Sequence, residues 1–227
     1  TDGDFNVGPS STEELIELIE EKRESGVYLT VLGVGGGNLN DHMMEQIANN
    51  GNGNFEYIDN AKQIEKVFTH EVERFYTIAK DVKLQVTFNP QTVKSYRLIG
   101  YENRSLNEDD FENDTVDAGE IGVGQTITAL YEVELLSTTL NTFAQFDLRY
   151  KKPGESTSRL VEHAITADPS SKIAVSENMR FASAVAAFGL ILKESEYKGK
   201  ADKNLVLSLA NNATSFDPHE YRKEFVQ

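Results

Sequence analysis

Apolar positions in the first 76 residues follow two alternating periods. Leu15, Ile16, Leu18 and Ile19 form a helical stripe. Ser11-Thr12-Glu13-Glu14 before them is a capping box, in which Ser11 and Glu14 satisfy each other's amides, and Gly26 ends the helix near Ser25. Val27-Tyr28-Leu29-Thr30-Val31-Leu32 is a nearly continuous apolar run, as expected of a parallel strand covered on both faces. Met43, Met44 and Ile47 predict a helix over 40–50, and Phe55-Glu56-Tyr57-Ile58 a strand. Ala61, Ile64, Val67, Phe68, Val72 and Phe75 then return to helical spacing. Strands and helices alternating at these lengths predict βαβ units and a parallel sheet.

The period changes near residue 79. Val82, Leu84, Val86 and Phe88 alternate with Lys83, Gln85 and Thr87, the pattern of a half-exposed antiparallel strand with its polar side chains in solvent. Comparable segments occupy 95–102, 125–136, 143–151 and 158–167, with Asn89-Pro90 and Pro153-Gly154 as turns. From 176 the chain reads as helical. Phe181, Ala182, Val185, Ala186 and Gly189 form one small-residue face suited to close packing. Asp217-Pro218-His219-Glu220 supplies an N-cap, a first-turn proline and a following carboxylate. The expected fold class is α/β plus β-rich: a partial doubly wound parallel sheet, then an antiparallel sandwich-like domain with C-terminal helices. The expected boundaries are 1–78 and 79–227, the latter antiparallel over 79–168 and mainly helical over 169–227.

Charge narrows the partners. Residues 1–76 carry 5 basic and 15 acidic side chains, and the whole chain has a net charge of −15. That field repels a phosphate backbone, which argues against nucleic-acid binding, and attracts cations and basic surfaces. No apolar run approaches a membrane span. With no cysteine, disulfides, thiolate metal sites and a cysteine nucleophile are excluded.

Candidate chemistry is sparse. Asp2, Asp4, Asn6 and Glu13 fall at positions 1, 3, 5 and 12 of a calcium-loop pattern, yet Val7 stands where the loop needs glycine. Gly33-Val34-Gly35-Gly36-Gly37-Asn38 follows a strand and precedes a helix, and Asp59 ends the next strand. A dinucleotide site uses that layout, which makes Gly33, Gly35 and Asn38 candidate ligand-binding positions, although Asn38 takes the place of the third glycine. Glu108-Asp109-Asp110-Phe111-Glu112-Asn113-Asp114, with Asp117 and Glu120 beyond, could gather Ca²⁺ but fits no standard loop and is expected to be a solvated acidic connection. His42, His70, His163 and His219 are scattered without metal spacing, and no nucleophile elbow or Walker loop occurs.

Thr1-Asp2-Gly3, followed by Asn6, a helix and a strand ending Gly33-Val34-Gly35, resembles the second half of a von Willebrand factor type A domain. Ala79-Lys80-Asp81-Val82, the stretch from Tyr96 to Arg104, Val116 to Gly122 and Phe181 to Gly189 resemble the YfbK-like bacterial group, in which such a domain precedes a C-terminal domain. The resemblance implies a non-enzymatic, metal-ion-dependent adhesion or protein-binding module of the bacterial cell envelope or exported space. Its Mg²⁺ (or Ca²⁺ or Mn²⁺) site joins an Asp-x-Ser-x-Ser loop, a threonine and the Asp of a Thr-Asp-Gly turn. Of that set only Asp2 is present, reaching the ion through water, with Asp4 a weaker candidate. The sequence thus predicts a fragment that binds no metal itself, a parent that binds an ion and a protein partner, and self-association through the truncated half-domain. The alternatives are a nucleotide-binding α/β enzyme fragment using Gly33–Asn38 and a purely structural module.

Overall fold

A computed structural model describes residues 1, 11–35, 39–101, 105–136, 142–166 and 174–227. Asp2, Asp4 and Asn38 lie outside the described residues. The chain divides into two compact units, one of 1–85, 107–126 and 147–162, the other of 86–106, 127–146 and 163–227.

In the first unit, helix α1 (Thr12–Glu24) starts where the Glu14 amide donates to Ser11 Oγ at 3.2 Å. Glu13, placed in the sequence as the last position of a calcium loop, instead lies in the first turn of α1. Strand β1 (Val31–Val34) pairs in parallel with β2 (Phe55–Ile58), and helix α2 (Asp41–Asn50) connects them. Leu15, Val31, Met43, Met44, Ile47 and Ala48 form the core between these elements. On the edge of β1 away from β2, the Thr1 ammonium donates to the Leu32 carbonyl at 3.0 Å and the Val34 amide donates to the Thr1 carbonyl at 2.7 Å. That is the hydrogen-bond pattern of a further parallel pair.

β1 starts four residues later than the apolar run suggests. Leu29 donates its amide to Gly51 in the turn after α2, and ladder pairing begins only at Val31, opposite Phe55. The helix expected over 61–75 is also uneven: α3 (Ala61–Glu65) widens into a π turn over Lys66–His70, and a 3₁₀ turn follows at Val72–Phe75.

The remaining strands are β3 (Thr77–Phe88), β4 (Val93–Ile99), β5 (Gly119–Gly122), β6 (Leu130–Leu135), β7 (Thr142–Lys151) and β8 (Arg159–Thr166). They form a four-stranded sheet in the order β5-β3-β7-β8 and an antiparallel pair β4-β6. β5 has no counterpart in the sequence reading, because four residues with a glycine at each end carry no alternation to detect. It pairs antiparallel with β3 through Thr77–Gly122, Ala79–Ile121 and Val82–Gly119, with two shifts of register between them. Asp81 lies in the second shift, at φ +49°.

β3 also reverses part of its expected exposure. Lys83 is buried and Leu84 is exposed, because the register shift turns the strand and the acidic connection covers Lys83. The Lys83 ammonium donates to the carbonyls of Asp110 and Asn113. Within that connection Glu108, Asp109 and Glu112 are exposed, while main-chain oxygens at its centre hold a buried cation.

In the second unit, Phe88 lies among Tyr96, Tyr131 and Phe143, with ring centroids 4.4 to 5.8 Å away. Helix α4 (Glu177–Leu192) packs on α5 (Lys203–Asn211) through Ala184, Val206 and Ala210, flanked by Phe181, Ala187 and Ile191. The packing stripe is therefore offset from the expected one: Val185 is exposed and nothing lies within 4 Å of a Cβ placed on Gly189. Helix α6 (Tyr221–Val226) starts after Glu220, at φ +62°, not after Asp217. Asp217 still contributes, accepting from the Lys223 amide at 2.9 Å across the intervening turn.

Asp202 caps α5, its carboxylate accepting from the Leu205 amide at 2.8 Å. Asp202→Ala is expected to lower stability by about 1 kcal/mol in urea denaturation, the usual loss when a helix cap is removed.

Candidate functional site

The densest grouping of ionisable side chains among the described residues lies within the first unit. It is assembled from the end of α1 (Arg23), the turn after α2 (Asn52), β3 (Asp81), β5 and the connection before it (Asp117, Glu120), and the end of β7 (Lys151). Asp81, Asp117 and Glu120 each offer a carboxylate oxygen, and these oxygens lie within 4.8 Å of one another. Lys151 Nζ donates to Asp81 Oδ2 at 2.7 Å and to the Asp114 carbonyl at 2.6 Å. Arg23 pairs with Asp117 at 2.9 Å. Among the described residues Glu120 has no cation in direct contact, and the neutral amide of Asn52 donates to it at 2.8 Å.

Local structure explains each position. The Gly51-Asn52-Gly53 turn brings the chain from α2 back to β1–β2, and Asn52 occupies the left-handed region at φ +49°, which asparagine tolerates better than most residues. Its side chain is buried, accepting from Arg23 at 3.5 Å while donating to Glu120. The bulge in β3 turns Asp81 toward β7.

The electrostatics follow from this uneven pairing. Burial, reinforced by Asp117 and Asp81, raises the Glu120 carboxyl from its ordinary 4.5 to about 8, with Lys80 and Arg23 opposing. Asp117, whose side chain is 48% exposed, is also raised, first by the hydration it does lose and against the pull of Arg23. Lys83 is lowered, first by burial. Three acidic oxygens this close could meet at one cation, but the chain supplies positive charge at two of them, through Lys151 and Arg23. The group is a partly compensated clasp, with Asp81 and Asp117 each ion-paired and Glu120 held by the Asn52 amide.

Of the sequence candidates, Gly33 and Gly35 can be placed. A Cβ on Gly33 would lie 3.1 Å from the Phe55 ring and 3.2 Å from the Met44 methyl, so the glycine lets the core close. Gly35 accepts a 2.8 Å hydrogen bond from the Tyr57 hydroxyl. Gly33 therefore has a packing role, and the nucleotide reading is not favoured. Asp117 and Glu120 were visible in the sequence as part of an acidic run, while Arg23, Asn52, Asp81 and Lys151 were not. The one usable signal was Gly51-Asn52-Gly53-Asn54, which marks a tight turn but names no partner.

Residues 73–227 match the family described as "Uncharacterized protein YfbK, C-terminal". A relative in Escherichia coli (strain K12), "Uncharacterized protein YfbK", is 40% identical over 247 residues, with 100% of this chain covered. The chain spans 42% of that relative's length. Among solved structures, the ArnB paralog VWA2 from Sulfolobus acidocaldarius aligns with a TM-score of 0.45 at 16% identity, over 90% of this chain and 54% of the other. A von Willebrand factor type A structure from Catenulispora acidiphila aligns at 0.45 and 15%, over 96% and 54%. No helix among the described residues is long and apolar enough to cross a membrane.

Proposed function

The chain belongs to the YfbK C-terminal family, and from that premise we propose that it forms part of a non-enzymatic protein-interaction module. One observation carries the reading. Ile64, Phe68, Val72 and Tyr76 recur every four residues along α3 and the turns after it, and all four are exposed, Phe68 at 52% and Tyr76 at 69%. Large apolar side chains left in solvent along one segment are the usual mark of a protein-binding face. The parallel β1–β2 pair, with Thr1 bonded to the far edge of β1, supports the resemblance to the second half of a von Willebrand A domain. In this reading the full-length protein binds a Mg²⁺-class ion through residues that include Asp2, and the ion completes contact with an acidic group on the partner. Asp2 and Asp4 would contribute to that site, while the 227-residue chain alone is expected to bind no metal.

The test uses the full-length protein with a photo-crosslinking residue in place of Phe68, and the adduct identifies the partner. Phe68→Ser with Val72→Ser should then reduce recovery of that partner tenfold or more, without a change in far-UV circular dichroism. Asp2→Ala or chelation should reduce it further. Undiminished recovery from the double variant overturns the interaction reading, and indifference to both Asp2→Ala and chelation overturns its ion dependence. An adduct between two copies would identify self-association as the function of this face.

A further inference from the structure

We propose that Glu120 is the proton-operated latch of the clasp, fastening β5 and the connection before it to α1 and the turn after α2 when protonated and releasing them when ionised. The inference does not depend on the proposed interaction function.

The geometry leads to it in three steps. First, the charges do not balance. Three carboxylates converge, but direct ion pairs reach only Asp81, from Lys151, and Asp117, from Arg23. Glu120 faces Asp117 on its own segment, Asp81 and Lys80 on β3, Arg23 on α1 and uncharged Asn52 on the turn. Lys151 is engaged by Asp81 and the Asp114 carbonyl, and Lys83 by the carbonyls of Asp110 and Asn113. A third proton-free carboxylate beside Asp117 and Asp81 therefore adds a repulsion that no cation in contact among the described residues offsets.

Second, the bonds across the gap are few and specific. Arg23 to Asp117 and Asn52 to Glu120 tie the α/β elements to the strand and its connection. The Asn52 amide can donate to Glu120 in either protonation state, so what works against these two ties when Glu120 ionises is its repulsion by Asp117 and Asp81.

Third, the element carrying Glu120 is built to move. β5 is an edge strand of four residues, and its three pairs with β3 are separated by two register shifts. Its far end is better held, since the Val123 amide donates to the Tyr76 carbonyl at 3.0 Å. Release is thus expected at the Gly119–Glu120 end, with the Val123 end as the pivot.

The direction of the pH effect follows from the raised carboxyl. Between about 4.5 and 8 the folded chain keeps a proton that the unfolded chain has lost. Stability from this group is complete below the lower value and is lost as pH rises through the upper one.

The experiment compares the 227-residue chain with Glu120→Gln, which keeps the shape and neutrality of the protonated acid. The unfolding equilibrium is measured in urea at pH values from 6 to 8.5. The unaltered chain should lose up to about fiftyfold in folding equilibrium between pH 6 and 8 relative to the variant. Relative to the intrinsic, base-catalysed exchange rate, protection of the amides at residues 117–120 should fall over the same interval in the unaltered chain only. Should Glu120→Gln not fold, ¹³C NMR of the Glu120 carboxyl in the unaltered chain decides. Titration well above the ordinary glutamate range supports the latch, and titration near 4 to 5 overturns it. Parallel pH profiles for the two chains, or protection at 117–120 that stays constant with pH, overturn it equally.

Discussion

Lys151→Met is expected to destabilise the first unit by about 3–5 kcal/mol, the range for removing one partner of a buried ion pair. The side chains of Lys151 and Asp81 are only 9% and 12% exposed, so water cannot take over the ammonium's role. Loss of the lysine leaves the Asp81 carboxylate facing Asp117 and Glu120, and leaves the Asp114 carbonyl without its donor. Methionine preserves most of the stem's packing, so the lost stability reports charge and hydrogen bonding. The double variant Asp81→Asn/Lys151→Met should recover most of the loss, because a neutral amide beside a thioether leaves no uncompensated charge. Urea denaturation of the two single variants and the double gives the coupling energy directly. A single-variant loss under about 1 kcal/mol would show that the pair is hydrated in solution.

Gly53→Ala should be at least as damaging, with a cost above about 4 kcal/mol or failure to fold. The cause is steric. A Cβ at position 53 would fall 1.8 Å from the Leu29 carbonyl oxygen and 2.3 Å from its carbon, and both are main chain. No rotamer can relieve that contact. The turn cannot withdraw either, because the Leu29 amide bonds to Gly51 and the Val31 amide to Asn54, at 2.9 and 2.8 Å. Moving it would also carry Asn52 away from Glu120 and so loosen the clasp. Gly189→Ala is the informative contrast. Its Cβ would meet nothing within 4 Å on α4, and replacing a mid-helix glycine should stabilise the chain by up to about 1 kcal/mol. Thermal or urea unfolding of the two variants separates a glycine required by contact from one that is not.

Much of the local structure was legible because its causes lie within a few residues. Ser11 before α1 announces that helix and accepts the Glu14 amide three residues on. The Met43, Met44 and Ile47 stripe is the face that α2 buries. Four-residue β2 stands where Phe55–Ile58 was read as a strand. The structure departs from the local pattern where a distant segment decides. Val27–Leu32 is apolar enough for a strand, yet β1 begins at Val31 because β2 offers partners only from there. Lys83 occupies a polar slot in an alternating strand, yet it is buried because the carbonyls of a connection some thirty residues on accept its protons. Asp217 has the signature of a cap, but the turn it starts delays α6 to Tyr221.

The clasp shows the same division. Asp117 and Glu120 could be recognised as acids, but their neighbours come from positions 23, 52, 81 and 151, and no periodicity links those numbers. By itself the sequence determined where helices start, which stripes are apolar, the change from parallel to antiparallel strands, and the family resemblance. All of these depend on short-range backbone preferences and the spacing of side chains. Only the tertiary structure decided which acids lack a cation, which lysines are buried and which glycines face another backbone. Those outcomes depend on distances between segments far apart in the chain, and Coulomb energy, burial and steric overlap respond to separation in space.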